Sequence, residues 1–104
     1  MKHGQSSPLQ VDASLDGVVA TVIVAGELDI TTATALTRRL LAVAAGHPDR
    51  IVLDLSGLVF VDVAGARALD AAYKLLQAEC PVILRAPRPS ARMVFNLTGL
   101  VDPS

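Results

Sequence analysis

The sequence predicts a single α/β domain with a mostly parallel mixed sheet that begins with an antiparallel hairpin. The 104 residues suffice for one domain, and a composition of 52% hydrophobic and 18% charged residues can supply a core. Strand-like and helix-like apolar periods alternate along the chain in the order β-β-α-β-α-β-α, which implies parallel strands joined by right-handed crossovers. We expect one domain over residues 1–104, with residues 1–7 as a flexible tail.

The first two strands are predicted to form the hairpin. Apolar and polar residues alternate over 9–13, and Asp16-Gly17 follows, a dipeptide that favours a tight turn between antiparallel strands. Residues 18–25 are apolar on both faces, which is typical of a strand covered on two sides. We expect the chain to leave the sheet at Gly26.

The first helix is predicted from residue 32 onward, where the apolar period changes to that of a helix. Thr31 is the expected N-cap, and Gly46 followed by Pro48 is expected to end the helix. The residues on its apolar stripe are Ala33, Leu36, Leu40 and Val43.

Three further elements complete the predicted order. A strand is expected over 51–55, ending at Ser56-Gly57, and a second helix runs from Asp62 to about Glu79. A strand at 82–84 and a short third helix over 90–97 follow. The result is a sheet with about three helices.

Composition argues against several classes of function. Aromatic residues make up only 3% of the chain and the net charge is -1, so neither base stacking nor a basic field favours nucleic-acid binding. Cys80 is the single cysteine, which excludes an internal disulfide and fits a small buried thiol. The first ten residues lack the apolar core of a signal peptide, and the apolar stretch at 18–25 is too short to span a membrane. We expect a cytoplasmic protein.

Enzyme motifs are absent from the sequence. It contains no phosphate-binding glycine loop, no metal-ligand spacing and no G-x-S-x-G elbow. Asp29, Asp54 and Asp62 lie at the carboxyl ends of predicted strands and could suggest a magnesium or phospho-aspartate site. The only lysines, however, are Lys2 and Lys74, neither of which follows a late strand. We interpret these acids as helix caps and turn formers, and expect neither an enzyme nor a cofactor.

Three segments together resemble one family. They are Gly-Glu-Leu-Asp at 26–29, Ile-Val-Leu-Asp-Leu-Ser at 51–56 leading into Phe-Val-Asp at 60–62, and Leu-Thr-Gly-Leu at 97–100. In this order and spacing they are similar to the STAS domain of bacterial anti-sigma-factor antagonists. The resemblance implies a partner-switching protein that binds an anti-sigma factor, typically a serine kinase, and thereby regulates sigma-factor-dependent transcription.

The chain departs from the family at the turn that carries its switch. That turn reads Asp-Ser-Ser-Gly in the family, and its first serine is phosphorylated by the kinase. Here Asp62 and Gly65 match, whereas Val63 stands at the phospho-acceptor position and Ala64 replaces the second serine. Neither side chain can accept phosphate, so the resemblance implies binding without the usual serine switch.

The family's partner surface, carried over by position, falls on the starts of the first two helices. Thr31 and Thr32 also have an alternative role as helix caps. Val63 and Ala66 are expected to form an exposed apolar spot beside Arg67. The residues that the resemblance assigns to partner binding are Asp29, Ile30, Thr31, Thr32, Asp62, Val63, Ala64, Gly65, Ala66 and Arg67.

A second departure lies at the end of the sequence. The family usually continues past its Leu-Thr-Gly-Leu segment into a further strand and helix, whereas this sequence stops at Ser104. Together with the altered turn, this difference leaves an alternative function open, in which the chain is a STAS regulatory subunit of a lipid-transport ABC complex or of a stress-sensor complex.

Overall fold

A computed structural model describes residues 9–85 and contains a mixed four-stranded sheet with two helices. The strands lie in the order β1-β2-β3-β4; β1 is antiparallel to β2, and the other neighbours are parallel. This confirms the predicted fold class. The predicted tail and third helix lie outside the described residues. The elements are β1 (Gln10–Asp16), β2 (Val19–Leu28), α1 (Ile30–Ala45), β3 (Arg50–Val61), α2 (Val63–Gln77) and β4 (Val82–Arg85).

The predicted hairpin is confirmed. Asp16 pairs with Val19, and Gly17 in the turn has a φ of 63°, a left-handed conformation that costs glycine little. Ala20, Val22 and Val24 of β2 are buried, but Ile23 on the opposite face is exposed. The expectation that β2 is covered on both faces is therefore wrong at this position.

Two β-bulges make β3 longer than predicted. The first bulge lies between the pairs Ile23–Asp54 and Ala25–Gly57, where β2 advances two residues while β3 advances three. The second lies between Gly26–Leu58 and Glu27–Phe60, where β3 again has one extra residue. Ser56-Gly57 is therefore a bulge rather than the end of the strand. Gly57 fits there because a Cβ atom would lie only 2.8 Å from the Ala25 Cβ. The predicted ends of β2 near Gly26 and of β3 at Gly57 are both wrong.

The core lies between one face of the sheet and the two helices. The predicted stripe of α1 is confirmed, since Leu36 and Leu40 are fully buried, and Leu69 and Leu76 are their counterparts on α2. Burying four leucine side chains contributes several kcal/mol, at roughly 1.5–3 kcal/mol for each. This packing fixes the position of both helices over the sheet.

Cys80 follows α2 and packs, half-buried, against the core. Burial raises the pKa of its thiol, and the nearby Glu79 carboxylate raises it further. The thiol therefore stays protonated near neutral pH, as a structural cysteine does. Within residues 9–85, no helix has the length and apolar character needed to cross a membrane.

Candidate functional site

The starts of α1 and α2 lie side by side at the carboxyl ends of β2 and β3. The Asp62 backbone N–H donates to the Leu28 carbonyl at 3.1 Å. Gly65 in the first turn of α2 is so close to the same strand end that a Cβ atom would lie 2.6 Å from the Leu28 carbonyl oxygen. We call residues 29–32 and 62–65 together the paired helix starts.

A reciprocal capping box fixes the start of α1. Asp29 is the N-cap, and its Oδ1 accepts the Thr32 backbone N–H at 2.9 Å while the Thr32 hydroxyl accepts the Asp29 N–H at 2.9 Å. The same hydroxyl lies 2.9 Å from the Glu27 carbonyl, to which it donates. The predicted N-cap at Thr31 is wrong, because Asp29 supplies the acceptor and the helix begins at Ile30. The capping role expected for Thr32 is confirmed.

The capping bonds also act on the charge of Asp29. The hydrogen bond from the Thr32 backbone is the largest influence on the pKa of this carboxyl and lowers it below its usual value of 3.8, against the opposing effect of desolvation. The carboxylate is therefore ionised at neutral pH, and its negative charge faces the positive end of the α1 dipole.

Asp62 caps α2, as predicted. Its Oδ1 accepts the Gly65 backbone N–H at 2.6 Å, and its own backbone carbonyl accepts the first helical hydrogen bond, from Ala66. The carboxylates at both helix starts are thus engaged with backbone donors. This supports a structural role for both acids.

The predicted site residues divide into exposed and inward-facing groups. Gly65 and Ala66 are buried; Ala66 is 0% exposed because it lies three residues before Leu69 on the core stripe of α2. The expectation that Ala66 contributes to an exposed spot is therefore wrong. Asp29, Thr32 and Asp62 are half-buried. The exposed members are Ile30, Thr31, Val63, Ala64 and Arg67.

Two apolar side chains at the same end of the sheet were missed. Val59 and Phe60 are both exposed because the second bulge interrupts the alternation of β3, so that consecutive residues escape the core. Phe60 pairs with Glu27 in the register and lies two residues before Asp62. The irregular spacing of the apolar residues from 53 to 61 was the available signal, but the predicted strand ended at Ser56-Gly57 and so left Val59 and Phe60 outside the sheet.

Asp54, the third acid that was predicted at a strand end, lies within β3 and has a local role. Asp54 Oδ1 accepts the Ser56 backbone N–H at 3.0 Å and the Ser56 hydroxyl at 2.7 Å, across the first bulge. In the part of the chain that the structure describes, no three side chains among His, Cys, Asp and Glu are grouped to hold a metal ion. The exposed apolar side chains beside the two capped helices give this end of the sheet a surface suited to molecular recognition.

This chain belongs to the STAS domain family, whose model matches residues 10–103. It is 38% identical over 82 residues to the anti-sigma-F factor antagonist RsfB of Mycobacterium tuberculosis, an alignment that spans 79% of this chain and 67% of that protein. It is also similar to the crystal structure of an anti-sigma factor antagonist from Mycobacterium paratuberculosis, with a TM-score of 0.79, 33% identity, and coverage of 96% of this chain and 92% of the other.

The anti-sigma factor antagonist SpoIIAA shares the fold. Its unphosphorylated form superposes with a TM-score of 0.71 at 21% identity, covering 88% of this chain and 82% of SpoIIAA. Its phosphorylated form gives a TM-score of 0.65 at 23% identity, with 88% and 84% coverage. At these identities the likeness extends to the fold alone.

Proposed function

We propose that this chain is an anti-sigma factor antagonist that binds an anti-sigma factor of the serine kinase type through the paired helix starts, and that it does so without a serine phosphorylation switch. The observation that carries the proposal is Val63, exposed at the first position of α2, in a chain of this family. The similarity of this chain to RsfB, an anti-sigma-F factor antagonist, supports an anti-sigma factor as the partner.

The physical case for binding rests on exposed apolar surface at one end of the sheet. Ile30, Val59, Phe60 and Val63 are all large and exposed there, where the two helix starts and the end of β3 come together. Grouped apolar side chains on a soluble domain are typical of a protein interface, since burying them on binding releases ordered water. Arg67, exposed one turn after Val63, adds a cation beside them.

The case against a switch rests on chemistry at residue 63. A phosphate would add a charge of about -1.5 to -2 among these apolar groups and oppose docking by desolvation and by repulsion of partner acids. Valine has no oxygen to phosphorylate. Phosphorylation of residue 63 therefore cannot switch this surface off.

Binding can be tested by isothermal titration of the purified chain with each anti-sigma factor of the source organism. We expect one of them to bind, and expect Val63→Asp, which places a negative charge at the acceptor position, to weaken that complex about a hundredfold, within the range of interface hot spots. The substitution itself suits the first turn of a helix, where an acid is favourable, so the fold is preserved.

Leu41→Asp is the matched control, because Leu41 is 46% exposed against 42% for Val63 but lies in the fourth turn of α1. It should leave the affinity unchanged. Failure of every anti-sigma factor to bind the wild-type chain would refute the proposed function. Equal losses for the two variants would refute the placement of the interface at the paired helix starts.

A further inference from the structure

A groove of about 570 Å³ runs beside α1 and reaches the paired helix starts. Its apolar lining comes from Leu9 and Val11, at the start of the edge strand β1, and from Ala35 on α1. The groove therefore lies between the edge of the sheet and the helix. Thr31 lines this groove and also the adjoining hollow that extends to Ile30. The groove is thus continuous with the surface proposed above for the anti-sigma factor.

Two cations border the groove. Arg38 and Arg39 both line it, and both side chains are exposed. Over residues 9–85 the ion pair that the structure shows joins Lys74 to Asp70 on α2, so neither of these arginines has an acidic partner within that range. The chain as a whole carries a net charge of -1, and this pair of guanidinium groups is therefore a local feature rather than part of a general basic surface.

We infer that this groove is a second contact region for the anti-sigma factor and that it takes an acidic segment of that protein with apolar side chains among its acids. The inference rests on the proposed function. The planar guanidinium of arginine binds carboxylates through paired hydrogen bonds. The apolar lining offers no hydrogen-bond partner, so burial of a charged side chain against it would be unfavourable and an apolar side chain fits there better. A segment carrying both kinds of side chain satisfies both surfaces.

Continuity with the helix starts favours the same partner over an unrelated one. Thr31, Ala35 and Arg38 recur at helical spacing, so they form one exposed stripe along α1 that begins beside Ile30. A protein docked on Ile30 and Val63 therefore has this stripe next to it. The arginines would act mainly on the rate of association and on its salt dependence, as charges at an interface rim do.

The test is the affinity and association rate of the anti-sigma factor that binds the wild-type chain, measured at two salt concentrations. We expect the double variant Arg38→Gln/Arg39→Gln, which removes both charges, to bind about tenfold more weakly, mainly through slower association, and to lose most of the salt dependence. Arg50→Glu is the control, since Arg50 is exposed at the start of β3, the opposite end of that strand from the paired helix starts. It should change neither quantity.

A second variant tests the apolar lining without altering charge. Ala35→Trp should fill the groove at an exposed helix position, leave the fold intact as judged by circular dichroism, and weaken binding by a similar factor. Wild-type affinity in both groove variants, alongside weakened binding of Val63→Asp, would overturn this inference and leave the proposed function standing. Absence of any binding by the wild-type chain would overturn both.

Discussion

The starts of α1 and α2 have the same plan over their first three positions and differ at the fourth. Each begins with a capping aspartate, follows it with an exposed β-branched apolar residue, Ile30 or Val63, and then with a small exposed residue. The fourth residue is Thr32 in α1 and Gly65 in α2. Thr32 contributes a hydroxyl to the cap, whereas Gly65 contributes only its backbone.

The difference shows how the two helices are held together. The Thr32 side chain turns back to the Asp29 N–H and the Glu27 carbonyl, so the start of α1 is fastened by its own hydrogen bonds. Gly65 faces the backbone of Leu28 and Asp29, where a side chain has no room. The start of α2 is held by the Asp62 cap and by the hydrogen bond from the Asp62 N–H to the Leu28 carbonyl, and the absence of a side chain at Gly65 permits this close approach to the start of α1. The approach brings Ile30 and Val63 to the same end of the sheet.

The largest effect that this comparison predicts is that of a side chain at Gly65. In Gly65→Ala the added Cβ would lie 2.6 Å from the Leu28 carbonyl oxygen and 2.8 Å from its carbon, both backbone atoms that cannot swing aside. We expect a loss of about 1–3 kcal/mol in the free energy of unfolding, as for overpacked cores, measured by urea denaturation.

Gly46→Ala is the control for that substitution. Gly46 ends α1 with a φ of -80°, and a Cβ there would meet its nearest neighbour, the Val43 carbonyl oxygen, at 3.4 Å. It should be neutral or stabilise the protein by about 0.4–1 kcal/mol. A Gly65→Ala protein as stable as Gly46→Ala would contradict the close-approach explanation.

Removal of the α2 cap should have a smaller effect. Asp62→Ala leaves the Gly65 N–H without its acceptor and should lower the free energy of unfolding by about 1 kcal/mol, again by urea denaturation. Asp62→Asn keeps an acceptor oxygen and should lose much less. If Asn and Ala were equally destabilising, the hydrogen bond to Gly65 would not be what the aspartate contributes.

The smallest effect is on pH dependence and concerns α1 alone. Because hydrogen bonds lower the pKa of Asp29 in the folded protein below 3.8, its ionised form adds stability that is fully present above pH 3.8 and is lost as the pH falls through the lowered value. The stability of the wild type relative to Asp29→Asn should therefore be constant from pH 5 to 7 and decline below about pH 4. Thermal melts of both proteins at each pH measure this, and a constant difference down to pH 2 would count against the cap.

Much of this arrangement could be predicted from local patterns. The hairpin at Gly17, the core stripe of α1 and the cap at Asp62 each depend on residues close in sequence, and each prediction is confirmed. The cap of α1 was misplaced by two residues because threonine and aspartate are both good caps, and the choice between them depends on where β2 ends.

Features set by pairing between distant segments were not predictable in the same way. The bulges of β3 arise from its register with β2. They leave both Val59 and Phe60 exposed, whereas regular alternation would bury one of two consecutive residues. Ala66 was expected at the surface because it is near the helix start. Its burial depends on the rotation of α2 about its axis, which packing against the sheet determines.

To test whether residue 63 is a switch position that cannot be modified, the wild-type chain and Val63→Ser are each incubated with the anti-sigma factor that binds them and ATP, and intact mass and complex stability are measured together. We expect the wild type to gain no phosphate and to keep its complex, whereas Val63→Ser is phosphorylated at residue 63 and released. A wild-type chain phosphorylated at another serine or threonine, or a Val63→Ser protein that binds but stays unmodified, would contradict this expectation.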